Sequence, residues 1–211
     1  MKLKVCGLNN RENILALLES KPDYIGFIFY NKSPRYIGDL ETDFVKNISA
    51  VKKVGVFVNE NEINILKFAE SYNLNYVQLH GDESPEFCKT INAFIPVIKA
   101  FQVSDDFDFE TTRPYQNVCA YFLFDSKSKN YGGSGKSFDH KKLEEYKINK
   151  PVFLSGGLDL NITEDILYLQ SMHPKVVAID VNSKFEIIPG IKDEKKIKVL
   201  TEKMKRNELR D

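Results

Sequence analysis

Eight short apolar runs, most of them followed by a polar stretch, recur along the chain, and this alternation limits the possible folds more than any other feature. The runs fall at residues 3–8, 24–29, 53–58, 76–79, 96–101, 120–124, 152–154 and 176–179. They are short and rich in Val, Ile, Phe and Tyr, as buried strands are. Several are apolar on consecutive residues, the pattern of parallel strands covered on both faces. The spacing predicts helices over 11–20, 60–72, 84–91, 162–170 and 193–206, a short and weak one around 43–48, and no clear element between 103 and 117. In the last helix Ile197, Leu200 and Met204 form one apolar stripe, so its many Lys and Glu residues read as a solvated face. Eight strand–helix units in 211 residues fit an α/β fold, a single (β/α)8 barrel spanning residues 1–211. An open doubly wound sheet needs no eighth strand, and no linker or composition break marks a second domain.

Composition narrows the function classes. Thirty basic residues balance thirty acidic ones, which removes the electrostatic case for nucleic acid. The longest apolar run, Tyr24 to Tyr30, is seven residues, too short to span a membrane. Charges at Lys2 and Lys4 interrupt the start where a signal peptide needs an apolar stretch. Cys6, Cys88 and Cys119 are too few and too scattered for a disulfide framework or a Cys-rich zinc site. The expectation is a soluble, reduced, cytoplasmic protein.

Barrels of this kind place reacting groups at strand C-terminal ends and in the loops that follow. Those ends supply Cys6-Gly7 on strand one, Arg35 after strand two, His80-Gly81-Asp82 after strand four and Asp125 on strand six. Strand seven ends in Ser155-Gly156-Gly157 and strand eight in Asp180-Val181-Asn182-Ser183. A lone cysteine is more often a small buried hydrophobe than a nucleophile or base. Asp125 weighs more, because a carboxylate after Tyr121-Phe122-Leu123-Phe124 costs desolvation unless it is paired or used. His80 alone could be a turn residue, and Asp82 and Asp139 read as helix N-caps. Gly135-Lys136-Ser137 ends like a phosphate-binding P-loop, but that motif requires a glycine at position 130, which is Asn130. The glycines of this loop suit a mobile cover over a pocket. Gly156-Gly157 and Asn182-Ser183 follow the two strands whose loops often bind phosphate in barrels.

Side-chain alternation gives a prediction about the interior. If Asp125 points inward, Leu123 and Tyr121 share its side while Phe122 and Phe124 face the helices. The same parity puts Lys4 and Cys6 inside. A buried ammonium needs a carboxylate, and Asp180, on the strand that neighbours strand one when the barrel closes, is the expected partner of Lys4, with Asp125 the alternative.

These segments together resemble the phosphoribosylanthranilate isomerase family over nearly the whole chain. The likeness is carried by Lys4-Val5-Cys6-Gly7-Leu8, by 26–30 with Lys32-Ser33-Pro34-Arg35-Tyr36, by 54–59, and by Val77-Gln78-Leu79-His80-Gly81. It continues through 132–139, Leu154-Ser155-Gly156-Gly157-Leu158, and Asp180-Val181-Asn182-Ser183 with Glu186 and Pro189-Gly190. The resemblance implies an isomerase of tryptophan biosynthesis that needs no metal and no cofactor and acts on a small phosphorylated substrate; it leaves any oligomeric partner open. Carried over residue by residue, it makes Cys6 the general base, Asp125 the general acid and Arg35 the reader of the anthranilate carboxylate. His80 and Asp180 fall at substrate-binding positions, and Gly156, Gly157, Asn182 and Ser183 at the phosphate.

Two positions depart from the family pattern. Asn9 stands where Thr is common, and Lys184 where a glycine follows the serine of the strand-eight turn, so a positive φ at that point would strain the chain. The competing readings are another phosphate-binding barrel and a barrel that binds a phosphorylated ligand without turning it over. An indole-glycerol-phosphate synthase would be expected to show a catalytic Lys/Glu set, and a metal-using epimerase several rim histidines. A pure binder has no need of both Cys6 and Asp125.

Overall fold

The structure, a computed structural model, describes residues 1–126, 140–161 and 172–208. The eight strands are β1 (Lys2–Cys6), β2 (Tyr24–Ile28), β3 (Lys52–Phe57), β4 (Tyr76–Leu79), β5 (Val97–Val103), β6 (Tyr121–Ser126), β7 (Val152–Leu154) and β8 (Val176–Val181). They pair in parallel and in sequence order, and β8 closes on β1, so the predicted barrel is the fold of the chain. Helices α1 (Arg11–Leu18), α2 (Thr42–Lys46), α3 (Glu62–Ser71), α4 (Pro85–Asn92) and the C-terminal α5 (Glu194–Glu208) lie outside it. The helix expected over 162–170, the glycine-rich loop around Gly135-Lys136-Ser137 and Asp139 lie outside the described residues.

Alternation along the strands sorts the side chains as expected. Tyr24, Val54, Ile98, Ala100, Leu123, Phe153 and Ala178 form one buried cluster inside the barrel, joined by Tyr76 and Tyr121. Their rings interlock, with Tyr24 and Phe153 centroids 5.2 Å apart. Leu3, Val5, Phe122 and Phe124 belong to the larger cluster beneath the helices, where Ile197, Leu200 and Met204 of α5 also bury.

Helix starts follow local chemistry. The side chains of Asn10, Asn61 and Ser84 accept backbone N–H groups at the first turns of α1, α3 and α4. The cap of α4 is therefore Ser84, not Asp82: Pro85 presets the first helical φ, and Asp82 instead donates its own N–H to Asn59 Oδ1 at 2.7 Å. The stretch between β5 and β6 contains a 3-10 helix, Phe109–Tyr115, capped by Asp108. Its Phe109 ring packs on Phe124 and Tyr146, so the aromatic residues that obscured its pattern are its docking face.

A small hairpin, β9 (Glu186–Ile188) and β10 (Ile191–Lys192), follows β8 and was not anticipated. Gly190 turns it at φ +91, and a Cβ there would stand 2.2 Å from Asn9 Oδ1. Asn9 also donates to the Tyr36 carbonyl, so the first departure is absorbed by packing against this turn.

Candidate active site

The site begins with the parity of β1. Lys4 and Cys6 both point into the barrel, and Lys4, fully buried, donates to Asp180 Oδ2 at 2.9 Å. The register makes them direct neighbours across the closing strand pair, as predicted. Burial works against the Lys4 ammonium, but Asp180 and Cys6 outweigh it and raise its pKa above the usual lysine value. Burial pushes Asp180 up from the ordinary carboxylate range, with Lys4 pulling against it, so Lys4 is the member of the pair that firmly keeps its proton. Burial likewise pushes the Cys6 thiol up; Lys4 and Lys192 oppose the shift and Asp180 adds to it. Gly26 on β2 makes room for the sulfur, since a Cβ there would stand 2.7 Å from Cys6 Sγ.

Across the barrel, Asp125 stands one residue before the end of β6, and its side chain is 30% exposed. His80, just past β4, places Nε2 3.5 Å from Asp125 Oδ2. On the other side of the ring the Gln78 amide stands 2.9 Å from His80 Nδ1. If Gln78 Nε2 donates there, Nδ1 is the acceptor and the imidazole proton sits on Nε2, facing Asp125. Gln78 thus orients His80, a role not read from the sequence because Gln78 falls within a strand.

The loop carrying His80 is tied from below. Glu83 accepts from the N–H groups of Gly81 and Asn59 and pairs with the buried Lys99 at 3.0 Å. Lys99 also donates to the Gly81 carbonyl at 2.7 Å.

Arg35 is not free. Its Nε and Nη2 edge grips Glu186 at 2.7–2.9 Å, and Glu186 also accepts from Lys192 Nζ at 2.5 Å. Lys192 donates in addition to Asn182 Oδ1 at 2.7 Å. Gly7, at φ +78, permits the arrangement: a Cβ there would lie 2.8 Å from both Arg35 Cδ and Asn182 Oδ1. Gly156 and Gly157 have φ values of +95 and +65 at the end of β7, a backbone only glycine adopts cheaply. They share one sector of the rim with the 3-10 turn Ser183–Phe185 that follows β8. Lys184 within that turn is not among the positive-φ residues, so the second departure carries no backbone strain.

The structure therefore assembles the predicted Cys6, Asp125, His80, Arg35, Asp180, Gly156-Gly157 and Asn182-Ser183 at the C-terminal end of one barrel. Of the groups behind them, Glu186, Gln78 and Gly7 were visible as parts of matching strings but without a role, while Lys192 carried no signal. Among the described residues no group of three or more His, Cys, Asp or Glu is placed to hold a metal ion. Among them, too, no helix is long and apolar enough to cross a membrane.

A closed parallel barrel with a buried thiol and a rim carboxylate on facing strands defines a class, the (β/α)8 enzymes built for acid–base chemistry on a small molecule. Comparison with known proteins gives the particular family. A model of the family described as "N-(5'phosphoribosyl)anthranilate (PRA) isomerase" matches residues 3–203. An N-(5'-phosphoribosyl)anthranilate isomerase of Parabacteroides distasonis is 43% identical over 202 residues, covering 94% of this chain and 90% of its own length. A solved structure of phosphoribosyl anthranilate isomerase from Thermotoga maritima superposes with a TM-score of 0.84 at 38% identity, covering 98% of this chain and 99% of that one. Another, in complex with reduced 1-(o-carboxyphenylamino)-1-deoxyribulose 5-phosphate, gives 0.80 at 35% identity over 98% and 99%. The chain belongs to the N-(5'-phosphoribosyl)anthranilate isomerase family.

Proposed function

We propose that Cys6 and Asp125 are the two proton-handling groups with which this chain carries out its family's reaction. The chain is an isomerase of tryptophan biosynthesis that converts N-(5-phosphoribosyl)anthranilate, an aminoaldose, into 1-(2-carboxyphenylamino)-1-deoxyribulose 5-phosphate, an aminoketose. In the proposed sequence Asp125 gives its proton to the furanose ring oxygen, the C1′–O bond breaks, and the nitrogen lone pair forms the protonated Schiff base. The Cys6 thiolate then removes the C2′ proton, the electrons return to nitrogen through C1′–C2′, and the enolamine tautomerises to the ketone. Lys4 and Lys192 are the ammonium groups that oppose the burial of Cys6 and favour the thiolate this step requires. His80 steadies the Asp125 carboxyl, and Gln78 steadies His80.

Arg35 reads the anthranilate carboxylate with its remaining Nη1 and Nη2 edge, the Nε side being held by Glu186. The phosphate lies against the left-handed Gly156-Gly157 backbone and the Asn182-Ser183 turn, which follow neighbouring strands and can offer it backbone N–H groups. One domain spanning residues 1–211 and a cytoplasmic location complete the reading.

The observation that carries the assignment is the placement of a buried thiol on β1 and a partly exposed carboxylate on β6 at one rim, each backed by groups that orient or polarise it. It is tested by turnover of freshly made phosphoribosylanthranilate. The purified protein should convert it, and Asp125→Asn should lose roughly 10²–10⁴-fold in turnover, the range for a positioned proton donor. Near-normal activity in that variant would remove Asp125 from the mechanism.

A further inference from the structure

Behind Arg35 lies a cluster whose charge count calls for an explanation. Glu186 accepts from Arg35 Nε and Nη2, from Lys192 Nζ and from the Gly190 N–H. Its side chain is 4% exposed, and that of Lys192 is wholly buried. The hydrogen bonds of Arg35 and Lys192 overcome burial and hold the Glu186 carboxyl below the usual range. Burial pushes Lys192 below the ordinary lysine value, but its short contacts to Glu186 Oε1 and Asn182 Oδ1 are those of an ammonium donor.

A buried charge is seldom retained for stability, since a well-packed apolar side chain of similar volume usually serves at least as well. Glu186 already has a full partner in Arg35, so Lys192 is not required to neutralise it. What Lys192 changes is the total. Arg35 and Glu186 alone are a neutral pair, and a neutral pair has little attraction for a second carboxylate. With Lys192 the cluster holds two cations and one anion. Glu186 covers the Nε side of the guanidinium, so the free Nη1 and Nη2 edge is presented with one net positive charge behind it. The neighbouring Lys4–Asp180 pair is neutral, and Cys6, whose pKa burial pushes up, carries no charge as the thiol, so that count is unchanged when the ligand arrives.

We propose that Lys192, which need not touch the substrate, is a specificity-determining residue for its aromatic carboxylate, acting through Glu186 and Arg35. The proposal rests on the reading of Arg35 as the carboxylate's partner. Lys192 orients as well as charges the site: by holding both Glu186 and Asn182 it joins the carboxylate end to the turn proposed for the phosphate.

The test compares two ligands by titration calorimetry. One is reduced 1-(2-carboxyphenylamino)-1-deoxyribulose 5-phosphate; the other is its anilino counterpart without the carboxylate. The readout is the ratio of their affinities, which is insensitive to the fraction of protein that is active. Lys192→Met should compress the wild-type preference for the acid on the order of tenfold, while Lys192→Arg should retain it. Should the Met variant not fold, Lys192→Gln, which keeps a donor for Asn182, carries the same expectation. Equal weakening of both ligands, or an unchanged ratio, would overturn the proposal, because a merely structural or phosphate-directed lysine predicts one of those. Arg35→Gln is measured alongside. If it abolishes the preference and Lys192→Met does not, Lys192 alone is misassigned; if it keeps the preference, the Arg35 reading fails.

Discussion

The barrel interior holds two stacked layers of opposite chemistry on the same eight strands. The lower layer is Tyr24, Val54, Ile98, Leu123, Phe153 and Ala178, apolar and closely packed. The upper layer, two residues further along, contains Cys6, Gln78, Asp125 and Asp180. Lys4 bridges them: it stands level with Tyr24 in the β1–β2 register and directs its ammonium to Asp180. The lower layer is a packing solution that tolerates no polar group without a partner. The upper layer accepts desolvated charge, at a cost in stability, so that the proposed acid and base and their counter-ions face one small molecule. Stability and chemistry are thus divided by height within one barrel.

The sharpest way to break this division is to remove the bridge. Lys4→Met leaves Asp180 buried without its cation and should cost about 3–5 kcal/mol, read by urea unfolding. Its pH dependence has a definite sign. Asp180 already has a folded pKa above its unfolded 3.8, and losing Lys4 raises it further. Such an acid favours the folded state below 3.8, and this contribution is lost as pH rises through the folded value. The deficit of the variant should therefore be smallest in acid and grow toward neutrality. The double variant Lys4→Met with Asp180→Leu should recover most of the stability without the turnover. Recovery of both would mean that the upper layer is no more than packing. Alkylation of Cys6 should also move to higher pH in Lys4→Met, because Lys4 lowers the thiol's pKa.

Leu123→Ala probes the other layer. It truncates a fully buried side chain two residues before Asp125 and should destabilise by about 2–5 kcal/mol. Turnover measured well below the melting transition should stay close to wild type. A loss of turnover as large as that of Asp125→Asn would show that the layers are mechanically coupled.

How far each layer was legible in the sequence follows from the same division. Strand parity is local: apolar runs and a period of two suffice to assign Leu123, Phe122, Phe124, Lys4 and Cys6 to their faces. The Lys4–Asp180 pair could be inferred because barrel closure fixes which strands are neighbours. Arg35, in the loop after β2, and Glu186, at the start of β9, are 151 residues apart, and no periodicity announces such a contact. What Gln78 and Gly7 do was hidden for another reason. A glutamine in a strand and a glycine after one are unremarkable until a partner stands 2.9 Å away or a Cβ would collide. The Asp82 cap failed because two residues suited to capping compete there, and Pro85 decides in favour of Ser84.

Lys184 offers the smallest effect and marks the edge of the charged layer. A glycine at this place in the family pattern suggests a positive φ, so a lysine there would be strained if the backbone required one. The turn instead runs as a 3-10 helix over Ser183–Phe185, anchored by the buried Phe185, whose N–H donates to the Asn182 carbonyl at 3.1 Å. The Lys184 side chain projects into solvent, and its carbonyl accepts from Lys196. Nothing buried is lost when that side chain is removed, and no left-handed strain is relieved. Lys184→Gly should therefore lower stability by no more than about 1 kcal/mol, the chain-entropy cost of a glycine where no positive φ is needed. Its charge is another matter, for it flanks the turn proposed to hold phosphate. Competition by inorganic phosphate should weaken modestly in the glycine variant and more at low ionic strength than at high, since an exposed charge acts through a screened field. A marked gain in stability would mean that Lys184 is strained after all. An unchanged phosphate affinity at low salt would place the phosphate away from this turn and leave Gly156-Gly157 as its seat.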